Sequence, residues 1–108
     1  MEKNSKKAFL KALPEFINIE KGKGSVYFEI ESNTDWNINV NNSGDSVTGL
    51  KVYPLNGHGN ATIIVEYDAV ETENYQQNAS ITVFYTLYDI RQSVTINIHR
   101  RNLPDKAI

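Results

Sequence analysis

The chain contains no cysteine in its 108 residues. Disulfide scaffolds, zinc knuckles, thiol nucleophiles and dithiol redox motifs are excluded together, while the compartment stays open. Proline is scarce at three, and glycine at six, so the sequence is neither collagen-like nor a low-complexity linker. No apolar run approaches the roughly 18 residues of a membrane-spanning helix. Ala8-Phe9-Leu10-Lys11-Ala12-Leu13 is too short and too charged for a signal-peptide core.

Positive charge is scarce in the body of the chain. The formal net charge is -2, but residues 12–98 hold four basic and eleven acidic side chains. A nucleic-acid partner needs clustered Lys and Arg to neutralise phosphates, and this body repels them. The basic residues gather at the ends, in Lys3, Lys6, Lys7 and Lys11 and in Arg100, Arg101 and Lys106, and read as solvated tails. One domain is expected over residues 15–100. Residues 1–14 are a basic tail or lead-in, and residues 101–108 a C-terminal tail.

Period-two alternation fills the region between. Seven strands are predicted: Phe16 to Ile19, Ser25 to Glu31, Asp35 to Val40, Leu50 to Tyr53, Thr62 to Tyr67, Ala79 to Leu87 and Gln92 to His99. Val26, Phe28 and Ile30 share one face, as do Trp36, Ile38 and Val40. Ile63, Val65 and Tyr67 form a third inward set, and Val94, Ile96 and Ile98 a fourth. Gly- and Asn-rich segments at 21–24, 41–45 and 56–60 supply turns, and Asp68 to Asn78 is a longer polar connection. Residues 6–13 form a short amphipathic turn or fray. Seven short strands in this length predict an all-β, immunoglobulin-like antiparallel β-sandwich, held without the usual disulfide around Trp36.

Ser32-Asn33-Thr34-Asp35-Trp36, then Val52-Tyr53-Pro54, then Gly57-His58-Gly59-Asn60-Ala61-Thr62-Ile63 form a recognisable series. With the closing pair Ala79 to Val83 and Ser93 to Ile98, it resembles the BACON domain (Bacteroidetes-associated, carbohydrate-binding, often N-terminal). The resemblance covers roughly residues 15–99 and is most specific at Asn33-Thr34-Asp35-Trp36. It implies an immunoglobulin-like, non-catalytic module without a cofactor on a secreted, periplasmic or cell-surface protein of Bacteroidetes. Such modules are often attached to glycan-degrading enzymes. The implied partners are glycans or mucin, or a neighbouring catalytic or surface domain. Family members often carry a second Trp just before the edge strand, where this chain has Gly49.

Two readings of function follow from different classes. One is a glycan-associated, carbohydrate- or mucin-binding module. The other is a structural spacer or protein–protein contact module with no ligand. Sugar sites present aromatic faces to pyranose C–H surfaces beside groups that bond hydroxyls. The alternation turns Tyr27, Tyr53 and Ile64 outward on three neighbouring strands, as a glycan face, a domain or oligomer contact, or plain surface. Phe84 faces out of the other sheet, with Asn37, Asn39 and Asn97 expected beside it. Asn33 and Asp35 read as turn caps. The carboxylates Glu29, Glu31, Glu66, Asp68, Glu71 and Glu73 read as solvated. The spacing of Asp68, Glu71 and Glu73 matches no defined calcium loop. His58 and His99 have no nucleophile elbow or metal motif around them, so catalysis is not expected.

Overall fold

The computed structural model describes residues 7–103. Nine strands run in order: β1 (Leu10–Leu13), β2 (Phe16–Asn18), β3 (Gly24–Ser32), β4 (Asp35–Asn41), β5 (Lys51–Tyr53), β6 (Asn56–His58), β7 (Ala61–Tyr67), β8 (Tyr75–Leu87) and β9 (Ile90–Asn102). They form a four-stranded sheet, β1-β3-β7-β5, and a five-stranded sheet, β2-β9-β8-β4-β6. The result is an immunoglobulin-like β-sandwich. Its pairings are antiparallel except for β2, which runs parallel to β9.

The inward residues of both sheets meet in one core. Phe28, Ile63, Val65, Ile81, Val83 and Ile96 are fully buried, and Trp36 is nearly so. Truncating one such aromatic costs about 3–5 kcal/mol, so Trp36 is a main contributor to a core that has no disulfide.

Two strands escape the alternation. The segment at 6–13, expected as a helical turn or a frayed lead-in, supplies β1, which pairs antiparallel with Leu13↔Glu29 and Ala12↔Ile30. Only Ala12 of this strand is buried, so too little bulk alternates for the pattern to show. Lys6, at the start of that segment, and the rest of the basic tails at 1–6 and 104–108 lie outside the described residues. The expected turn at 56–60 contains β6, which pairs with β4 through Trp36↔Gly57.

Other expectations shift at strand ends. Val40, read as inward, is exposed near the end of β4. The closing hairpin is longer than its apolar pattern. β8 begins at Tyr75, inside the expected polar connection, and β9 runs on to Asn102. Arg100, read as part of a solvated tail, is 2% exposed. It sits on the inward parity of Ile96 and Ile98 and closes that end of the core. Its Nε donates to Gln77 Oε1 at 2.9 Å, Nη1 to the Glu20 carbonyl at 2.8 Å and Nη2 to the Asp68 carbonyl at 2.7 Å. The Tyr67 ring lies 5.3 Å from the guanidinium carbon. Burial pushes the Arg100 guanidinium below its ordinary pKa, while Tyr67, Tyr75 and Asp68 oppose that shift.

Candidate functional site

The segment 32–36 is first of all a structural knot. Ser32 Oγ donates to the Phe9 carbonyl at 2.9 Å, and the Ser32 amide donates to Asn60 Oδ1 at 3.0 Å. Asn33 bonds the backbone of the first strand's lead-in on both sides, accepting from the Phe9 amide and donating to the Lys7 carbonyl. Trp36 Nε1 donates to the Gly59 carbonyl at 2.9 Å. Among the described residues Asp35 bonds no backbone group; its Oδ1 lies 2.6 Å from His58 Nδ1 on β6.

Strand order then decides which expected site residues meet. β3, β7 and β5 are consecutive neighbours, and the register sets Tyr27 opposite Ile64 and Ile64 opposite Tyr53. Strands lie about 4.8 Å apart, so the two tyrosines stand roughly 10 Å from each other across Ile64. Tyr27 is 59% and Tyr53 44% exposed. The next row on this face is Ser25, Glu66 and Lys51. Those three, with Lys23, Asp68 and the backbone of Gly24 and Gly49, line a shallow cleft of about 380 Å³. The Tyr53 hydroxyl donates to Glu66 Oε2 and is thereby held against this cleft. That hydrogen bond, together with burial and the Glu66 charge, raises the Tyr53 pKa above its ordinary value.

Gly49 belongs to the cleft floor for a steric reason. Its φ is +66°, and a β-carbon there would stand 2.2 Å from Asp68 Oδ2. The second Trp of the BACON pattern therefore has no room at this position.

The other expected platform is covered. Asn37 does face Phe84 directly, and Asn39 sits diagonally from it, opposite Thr82. The Arg91 guanidinium, however, lies over the Phe84 ring, 3.8 Å from its centroid. Asn97 is not a neighbour of Phe84; it pairs with Ser80, four residues down β8. A different aromatic takes the place among amides. Phe16, 75% exposed, sits opposite Asn97 and rims a cleft of about 340 Å³ with Asn18, Asn78 and His99. Sequence reading missed it because β2 joins β9 in parallel across 80 residues of chain, a pairing that no local pattern announces. Among the described residues, no three His, Asp or Glu side chains gather as a metal site.

No family model matches the sequence, and no curated protein matches it. Solved structures do resemble the fold. A Bacteroides ovatus GH5 xyloglucanase, solved with a XXXG heptasaccharide, aligns over 86% of this chain at 16% identity and a TM-score of 0.68. The chain spans only 19% of that enzyme. The ASH/PapD-like domain 7 of human CEP192 aligns over 90% of this chain and 87% of its own length, at 14% identity and a TM-score of 0.61. WR4, an MSP family member of C. elegans, aligns over 82% of this chain and 94% of its own, at 11% identity and a TM-score of 0.55. These likenesses bear on the fold alone, and none of the three is named as a BACON domain.

Proposed function

We propose that this domain is a non-catalytic, glycan-binding accessory module of a larger bacterial surface or secreted protein. The observation that carries the reading is the row Tyr27–Ile64–Tyr53, open on one sheet face and bordered by the polar cleft of Ser25, Lys51, Glu66 and Asp68. Two phenol rings about 10 Å apart cover the C–H faces of a short, extended saccharide. Ser25, Lys51 and the carboxylates accept from and donate to its hydroxyls. The Tyr53–Glu66 bond fixes one ring before the sugar arrives, which lowers the ordering cost of binding. The BACON-like motif series supports this reading.

A glycan array that includes mucin and xyloglucan oligosaccharides, followed by titration calorimetry of each hit, tests the proposal. Saturable binding is expected. Silence across the array from folded protein would leave the second reading, a contact module. The apolar end beside Phe9 and the β8–β9 tip favours that alternative.

A further inference from the structure

The β8–β9 hairpin is finished differently at its two ends. At the base, the inward parity of β9 delivers Arg100, whose hydrogen bonds close the core. At the tip, the inward positions are Tyr85 and Leu87 on β8 and Ile90 on β9. Leu87 and Ile90 remain 44% and 60% exposed. Between them and Phe9–Leu10 opens a cleft of about 530 Å³.

Among the described residues, the same stretch of β9 is hydrogen-bonded to a strand on one side only, with β1 of the other sheet packed near it. Tyr88 and Asp89, with φ of 52° and 65°, form a two-residue turn that makes Leu87 and Ile90 a hydrogen-bonded pair. Alternation from that pair turns the backbone N–H and C=O of Arg91, Ser93 and Thr95 away from β8. Asn97 and His99 continue the same parity, and there the neighbouring segment answers them. The Asn97 amide donates to the Glu15 carbonyl at 2.7 Å, and the His99 carbonyl accepts from the Ile19 amide at 2.9 Å. Between Ile90 and Ile96, β8 is the only strand paired with β9 among the described residues.

We infer that this edge takes an extended peptide as an added strand. The peptide's backbone bonds Arg91 and Ser93, and its apolar side chains at alternate positions enter the cleft beside Phe9, Leu87 and Ile90. Strand addition joins the two halves of the feature, because residues on an added strand alternate in step with Ile90 and Gln92. Lys7 is the only charged side chain lining the cleft among the described residues, so the peptide carries an acidic residue at that end. The surface shares no residue with the tyrosine row and stands independently of glycan binding.

Titration of the ¹⁵N-labelled chain with the peptide Asp-Val-Thr-Val-Thr-Val-Thr, and with its alternately N-methylated form, tests the inference. Saturable binding of the first peptide alone, with slowed solvent exchange at the Arg91 and Ser93 amides, is expected. Ser93→Pro removes only an outward-facing N–H, a position where edge strands accept proline. It should preserve the thermal midpoint and weaken the peptide at least tenfold, as should Leu87→Ser combined with Ile90→Ser. Tyr27→Ala should leave peptide binding unchanged. Unaltered amides at 91 and 93, or wild-type affinity in folded Ser93→Pro, would overturn the inference. So would self-association of the chain through this edge in sedimentation, which would make the occupant a second copy.

Discussion

Trp36 and Gly57 face each other across β4 and β6 so closely that a β-carbon at 57 would stand 2.6 Å from the indole Cζ2. The glycine is a space requirement of the central core aromatic. Its neighbour Gly59 accepts the indole N–H. Gly57→Ala should therefore destabilise the domain by about 1–3 kcal/mol, the usual cost of overpacking, as read by urea unfolding. Wild-type stability in that variant would show that the indole moves aside freely.

Arg100 makes a second prediction. Replacing it with Met keeps much of the bulk but strands the carbonyls of Glu20 and Asp68 that it now satisfies. Hydrogen bonds donated by a charged group contribute about 1.5–3 kcal/mol each. Arg100→Met should lower stability by about 3 kcal/mol in total, with the loops at 20–21 and 68–70 showing the largest rise in amide exchange.

Tyr53 offers a pH signature. Its pKa is raised from 10.0, first by the hydrogen bond to Glu66. A raised folded-state pKa means that the bond's contribution is complete below pH 10 and is lost as pH climbs through the higher, folded value. Phenolate absorbance should show one tyrosine titrating above its ordinary range. Glu66→Gln removes the charge and should bring that titration back down.

Arg91→Ala would uncover the Phe84 ring. An exposed cation–π contact is worth about 0.5–1 kcal/mol, so thermal unfolding should shift only slightly. A larger loss would mean that Arg91 also secures the hairpin.

Much of this architecture was legible from period-two patterning, because one buried face per strand is all that a sandwich asks of its sequence. Phe28, Ile63 and Ile96 were placed correctly, and the meeting of Tyr27, Ile64 and Tyr53 followed from the strand order of the immunoglobulin fold. The misses share a cause: tertiary pairing overrides local composition. Asn56-Gly57-His58 looks like a turn yet pairs as an edge strand, because Trp36 needs a neighbour without a side chain. Arg100 looks like a tail residue, although the parity of Ile96 and Ile98, carried two positions further, points it inward. Val47 is buried within a polar loop, its amide and carbonyl both bound by the Asn42 side chain. The covering of Phe84 by Arg91 was not legible, since a side-chain stack across strands leaves no mark on alternation.

The most direct measurement is titration calorimetry of the best array glycan against the wild-type chain and its Tyr27→Ala, Tyr53→Ala, Phe84→Ala and Phe16→Ala variants. Each lost tyrosine should weaken binding about tenfold, in line with roughly 1–1.5 kcal/mol per aromatic face. Phe84→Ala and Phe16→Ala should bind as wild type does. Binding untouched by both tyrosine variants, or abolished by Phe16→Ala alone, would contradict the placement of the site on the Tyr27–Ile64–Tyr53 face.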